Sequence, residues 1–251
     1  AGGDYDFRVE SDTITHALFV EGSSGNVGIG TASPAAPLSI EGSSTGEYDA
    51  LILRNNNSAA SGQSAAMIFE VSGGTSGDAA SSVAKISGFR TGSGSTGDLL
   101  FHTTNAGVSA ERMRIDSSGR VTMPYQPAFS AIPAAKQSNI AINTVVTVVF
   151  GTERFDVGAN FASNTFTAPV TGKYSLHAHL RLENVDSAAS YYMLRITTSN
   201  EEYQSLFTAT SLSADAPYWP IAMNCLADMD ASDTAVVTIY QQSGTSQTDI
   251  A

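Results

Sequence analysis

The sequence has 251 residues, with 12 Lys and Arg against 24 Asp and Glu, a net charge of −12. Phosphate contacts need clustered Lys and Arg, so the acidic excess speaks against a nucleic-acid partner and against docking on an anionic membrane. No stretch approaches the roughly 20 apolar residues that span a bilayer. No membrane insertion is therefore expected.

The chain opens Ala-Gly-Gly-Asp, with no Met and no basic-then-apolar leader, and is read as starting inside a longer or processed chain. Short apolar-alternating runs bounded by Gly, Ser and Asn follow, the signature of strands and turns. In chain order they are HALFVEG, DALILRN, AAMIFEV, VAKISGF, DLLFHTT and RMRID, then INTVVTVVF, YYMLRITTS and TAVVTIYQQ. No convincing amphipathic helix interrupts them, so the expected class is all-β. The composition breaks at MPYQPAF (Met123 to Phe129), where two prolines in four residues mark a joint. Residues 1–123 are rich in Gly, Ser, Ala and Thr. Residues 124–251 carry most of the aromatic side chains.

The first part also repeats itself. FVEGSSGNVGI (Phe19 to Ile29), SIEGSSTGEY (Ser39 to Tyr48) and RIDSSGRVTM (Arg114 to Met123) share an acid, Ser-Ser, Gly and a following strand. They predict hairpin turns in which Gly25, Gly46 and Gly119 supply a positive φ. Ordering a residue costs roughly 1–2 kcal/mol of backbone entropy, and burial returns about 25 cal/mol per Å². A segment with so few large apolar side chains either stays disordered or shares one core among copies, and the regular alternation and modest charge favour the second. An oligomeric β-shaft over residues 1–123 is the expectation.

Several motifs look chemical. GSGSTG (Gly92 to Gly97) fits a dinucleotide loop, but a strand follows where that site needs a helix. GSSTG (Gly42 to Gly46) fits a nucleophile elbow on Ser44, again with a strand-like run after it. Asn56 to Ser58 is a formal glycosylation sequon of little weight. Asp228 to Asp233, DMDASD, reads as an acidic turn, with a weak surface calcium site as the alternative. Asp186, Glu201 and Glu202 read as solvated loop charges. The single cysteine, Cys225, excludes an internal disulfide and reads as a small buried hydrophobe.

In GKYSLHAHLRL, Tyr174, Leu176, Ala178, Leu180 and Leu182 share one strand face, the core face. Ser175, His177, His179 and Arg181 share the other. The two imidazoles lie about 7 Å apart along that strand. Zinc needs three or four ligands, and no third is visible nearby in the sequence. His177 and His179 are thus candidates for an interface, or for a metal shared between subunits. No catalytic residue and no cofactor are expected, because no nucleophile, base and orienting group can be assembled.

About half of the chain resembles the globular-head family shared by complement subcomponent q and the tumour necrosis factors. The resemblance runs from PAFSAIPAA (Pro127 to Ala135) through VVFGTERFDVGANFASNTFTAPVTGKYSLHAHLRL (Val148 to Leu182), with LADMDASDTAVVTIY (Leu226 to Tyr240) as a strand entry. The residues that carry it are Phe155, Asp156, Asn160, Phe161, Phe166, Ala168, Pro169, Gly172 and Tyr174. It implies a jelly roll that assembles as a trimer, with Phe155, Phe161, Phe166, Pro169, Gly172, Tyr174 and Leu176 in the structural core of the head. The family closes with a further strand, which TSQTDIA does not resemble, so the last strand is expected to be missing.

The first part resembles repetitive segments of bacteriophage tail fibres and other phage structural proteins. The phrases Val-Gly-Ile-Gly-Thr-x-x-Pro and Glu-Arg-Met-Arg-Ile-Asp-x-x-Gly-x-Val carry this resemblance. It implies an extended trimeric shaft over residues 1–123 in front of the head at residues 124–251. Together the resemblances imply an extracellular virion protein that is a homotrimer. It would meet other virion proteins through its N-terminal region and a host-surface glycan or protein receptor through its head. A capsid decoration or cement protein with a structural role alone, or a secreted bacterial adhesin, would use the same parts.

Overall fold

The computed structural model describes residues 5–57, 61–70, 82–93 and 95–251. The chain divides into two compact units, Ala1–Val121 and Thr122–Ala251. Both are built of strands. The single helical turn among the described residues is a 3-10 turn at Ala209–Ser211.

The first unit holds two sheets. Strands β1 (Phe7–Val9), β2 (Leu18–Val20), β3 (Val27–Ile29) and β4 (Leu38–Ile40) lie in that order, antiparallel except for the parallel pair β3 and β4. Strands β5 (Ser64–Glu70), β6 (Ser82–Arg90), β7 (Gly97–Asn105), β8 (Val108–Ile115) and β9 (Val121–Thr122) form the other sheet.

Two of the three repeat copies make a glycine turn, the first one residue longer than the last. At the first, Gly25 donates its N–H to the Glu21 carbonyl at 2.7 Å. At the last, Gly119 donates to the Asp116 carbonyl at 2.8 Å. Both glycines hold a left-handed φ, +73° and +81°, where a Cβ is disfavoured. In the last copy the Asp116 carboxylate also receives the N–H of Ser118 and of Arg120. These bonds pull its pKa below the usual carboxylate range, with the Arg120 N–H and guanidinium contributing most.

The middle copy differs from its expectation. Gly46 does not take a positive φ, and residues 41–57 form no strand. DALILRN alternates as a strand should, but among the described residues no neighbouring strand pairs with it. Leu51, Ile52 and Leu53 stand exposed. The loop GSGSTG joins β6 to β7, a strand to a strand, with Gly94 outside the described residues. Ser58 of the sequon also lies outside them.

The second unit is a jelly-roll-like antiparallel sandwich. One sheet runs β13 (Phe161–Ala162), β14 (Thr165–Thr167), β19 (Thr234–Gln242), β16 (Tyr191–Thr198), β17 (Glu202–Phe207), with β11 (Val145–Thr147) also on β19. Facing it are β18 (Ala216–Met229), β15 (Gly172–Val185) and β20 (Asp249–Ile250), together with the pair β10 (Ala128–Ile132) and β12 (Thr152–Val157). The long β15 shows why the chain layers this way. Leu176, Ala178, Leu180 and Leu182 are buried, while Lys173, Ser175, His177, His179 and Arg181 between them are exposed. The buried set packs with Ile221 and Met229 of β18 and with Tyr192, Leu194, Ile196 and Ile239 of the opposite sheet. Phe129 stacks on Phe161 and Phe166 at centroid distances of 4.7 and 5.1 Å, and Phe207 stacks on Tyr192 and Trp219, each at 5.1 Å.

Three expectations for this unit need correction. Phe155 is 53% exposed, because β12 pairs with β10 at the margin of the sandwich and turns this ring outward. Pro169 is exposed and shapes the turn before β15 without entering the core. The closing strand is not wholly missing. Asp249 and Ile250 pair with Glu183 and Leu182 of β15, and Ile250 is fully buried.

Candidate functional site

The His177 and His179 face is built by the register of β15 on β18. His177 sits opposite Asn224, His179 opposite Ala222, Ser175 opposite Leu226, and Lys173 opposite Asp228. The Ser175 hydroxyl bonds His177 Nε2 at 2.9 Å. Lys173 and Asp228 form an ion pair. At the far end Arg181 donates to Glu183 at 2.9 Å and lies over the Tyr218 ring at 5.6 Å. Tyr218 and Leu226 are 64% and 67% exposed. The face therefore has two imidazoles at its centre, exposed apolar side chains beside them, and cations at both ends. The Tyr218 and Arg181 end of this face has the residue types that concentrate in protein contacts, aromatic rings and Arg. Among the described residues no group of three His, Cys, Asp or Glu gathers within metal-binding reach.

Beside this face, a cleft of 290 Å³ opens between β10 and β15 onto the core. Phe129, Phe166, Leu176, Ala178 and Val237 line it together with His177 and His179. The Ser175 hydroxyl that bonds His177 also lines it, and no carboxylate stands among its lining residues to orient that imidazole. Cys225 is half-buried on β18, and burial raises its thiol pKa.

The acidic turn Asp228 to Asp233 spends its oxygens on the protein itself. Asp233 accepts the Asp230 N–H at 2.8 Å and the Asn200 side-chain amide at 2.6 Å. Asp230 accepts the Thr171 hydroxyl at 3.3 Å. Glu201 and Glu202 are exposed, as charged loop residues ordinarily are.

Asp186 is the marked departure from the sequence reading, which places it in solvent. It is 1% exposed. Its carboxylate accepts N–H groups from Ala188 at 2.8 Å, Thr245 at 2.5 Å and Ser246 at 2.7 Å. Its own N–H donates to the Tyr192 hydroxyl, which is 2.6 Å from Thr248 Oγ1. Burial pushes this carboxyl up, but the N–H groups of Ser246, Ala188 and Thr245 outweigh it and hold the pKa below the usual range. Asp249 is a second buried acid, bonded to Lys136 at 2.8 Å and to the Asn139 N–H at 2.8 Å. Lys136, followed by that N–H, lowers its pKa. Both acids are structural, and they anchor the segment that ends in β20. No local pattern announces either one, since most of their partners lie far along the chain.

The residues that carry the family resemblance have visible tasks. Asp156 accepts the N–H groups of Asn160 at 3.1 Å and Phe161 at 2.9 Å, folding the short gap between its two motif halves. The Tyr174 hydroxyl donates to the Val170 carbonyl at 2.6 Å and closes the Pro169 to Gly172 turn. Phe161, Phe166, Ala168 and Leu176 are buried, while Gly172 and Tyr174 are half-buried.

No family model and no curated protein matches the sequence. Among the solved structures similar to it is the globular domain of zebrafish complement 1qA protein. The two are 18% identical, the match covers 50% of this chain and 91% of that domain, and the TM-score is 0.38.

Proposed function

We propose that this chain is an oligomeric attachment protein of a phage particle, a trimer whose β-rich first unit is a shaft and whose sandwich head meets a host-surface glycan or protein. The observation that carries this reading is the contrast in burial between the two units. Among the described residues of the first unit, Phe19 and Leu100 are the buried large apolar side chains, while Phe7, Leu38, Leu51, Ile52, Met67 and Phe69 are all exposed. The second unit buries its own apolar residues in one contiguous cluster. A unit that leaves its large apolar groups in water is a part awaiting its partners, and a small domain without a core does not hold itself together. The phage-like phrases in that same unit favour a shaft, and the order of shaft and head favours presentation of the head at a distance. Three heads on one shaft multiply weak contacts through avidity.

The test is made with the full chain. Light scattering should give three times the mass of one chain, and the assembly should bind host cells and compete with infection. A monomer mass removes the reading. A trimer that binds capsids and ignores cells would instead make the chain a decoration protein.

A further inference from the structure

We infer that one face of the β5 to β8 sheet is where a second copy of this chain docks. The inference rests on the oligomeric reading above and gives it a location. The register of the sheet decides which side chains share a face, because directly paired residues project to the same side. Met67, Ile86, Phe101 and Met113 are paired in sequence across the four strands and form one unbroken apolar row. The flanking rows pair Leu99 with Ile115 and Phe69 with Ala84. None of these residues carries a charge; Arg90, on the same side at the end of β6, is opposite Gly97 and donates to the Gly92 carbonyl.

The other face is different. It holds Lys85, His102 and Glu111 in one row. It also holds Arg114, which bonds Asp98 at 2.6 Å and Glu111 at 2.7 Å.

Exposure of the two faces is the reverse of what a solvated sheet shows. An antiparallel sheet with one wet side ordinarily turns its apolar side inward. Here Ser87, Leu100 and Asp98, on the charged side, are 3%, 4% and 8% exposed. Met67, Phe69, Ile86 and Leu99, on the uncharged side, are 45%, 46%, 37% and 39% exposed. The apolar side is open at Met67, Phe69, Ile86 and Leu99, with Phe101 and Met113 half-buried, while the charged side is closed at its centre and open at Ile68 on β5, 46% exposed.

Whatever covers the open side must itself be apolar. A charged or sugar-like group pressed there would lose water and find no partner. A second copy of the same face meets this demand, since its rows are equally free of charge. Two chains that each carry a net charge of −12 can then meet there with no repulsion at the contact. A copy is also the partner present whenever this chain is made, and the interfaces of obligate assemblies resemble a domain core cut in half. The edge of the patch is polar, as an interface rim is. There Arg112, the extra residue of the β8 bulge, donates from Nε to Thr103 Oγ1 at 2.9 Å.

Two neighbours in sequence on opposite faces make the test. A photo-crosslinking amino acid is placed in the full chain at Ile86 or at Lys85, and the protein is irradiated when dilute. Chain-to-chain products should form from position 86 at least tenfold more than from position 85. In parallel, Ile86→Asp should raise the concentration needed for assembly at least tenfold, and Lys85→Asp should not. An oligomer by mass with no crosslink from position 86 and an unaffected Ile86→Asp variant would overturn this face and leave the oligomeric reading standing. A monomer mass for the unmodified chain would remove both.

Discussion

Replacing Asp186 with asparagine keeps the shape of the side chain and removes its charge. The native carboxylate accepts Ala188 N–H on one oxygen and the Thr245 and Ser246 N–H groups on the other. An amide has one oxygen. Whichever way it turns, its NH2 group faces at least one buried N–H, and that donor is left without an acceptor. An unsatisfied buried donor costs about 1–3 kcal/mol, and the remaining bonds lose the strength that charge lends them. The expected loss is about 2–4 kcal/mol, a large share of the roughly 5–15 kcal/mol that holds a domain folded. For a head of this size that is a fall in Tm on the order of 10 °C. Trp219 is the single tryptophan and sits on β18 against Phe207, so its fluorescence in urea reports the head directly.

Gly244→Ala reaches the same carboxylate from the other side. Gly244 has a φ of +110°, and a Cβ there would stand 2.5 Å from Asp186 Oδ2. The two variants break one arrangement, so together they should cost clearly less than their sum. The pH dependence has a fixed sign. A carboxyl whose pKa is lowered by folding stabilises the fold above its unfolded value, about 3.9, and that contribution is lost as pH falls through the lower folded value. Asp186 is such a group. The native head should therefore weaken from about pH 4 downward, and the asparagine variant should weaken less over that window. An asparagine variant within about 0.5 kcal/mol of the native head and with the same acid slope would refute the network's role, since that is the range of an ordinary surface change.

Asp156→Ala removes the acceptor for the Asn160 and Phe161 N–H groups, and urea unfolding should show a loss of about 1–3 kcal/mol. A neutral outcome there would mean that the loop before Phe161 is held by packing alone. For the imidazole face, interface contact without metal is the expectation. Chelator and a step to pH 5 should leave the mass of the assembly unchanged. A fall in mass that zinc restores, and that is absent in a His177→Ala, His179→Ala variant, would identify a metal shared between subunits.

Most of β15 is legible in the sequence because one face is wet and the other dry, so Tyr174 to Leu182 alternate with a period of two. The turns at Gly25 and Gly119 are legible because only a residue free of a Cβ sits comfortably at such φ values. Patterns that depend on a neighbour are not legible. DALILRN has the alternation of a strand, yet a strand exists only with a paired edge, and none is supplied within the described residues. Asp186 resembles any loop acid, because what buries it arrives from Thr245 and Ser246, 59 and 60 residues away. TSQTDI lacks any apolar period, so β20 is fixed by Asp249 reaching Lys136 and Asn139 and by Ile250 entering the core. Phe155 shows the complementary limit. A family motif conveys that a residue type recurs, and not which way its side chain faces.

The two units meet the entropy of ordering by different means, and this bears on function. The head orders its residues with a core of its own and with two buried acids that clasp its closing segment. Its stability is then a property of one chain. The first unit turns an apolar row of its sheet to the outside, and with it the alternating segment at Leu51 to Leu53, which has no strand partner among the described residues. On the proposed assembly its order is tied to association, and so to chain concentration. On the proposed function, a head that met a receptor would gain from this separation. Its loops can change without disturbing the contacts that hold copies together, and a weakened shaft would cost avidity before it cost the binding ability of any single head.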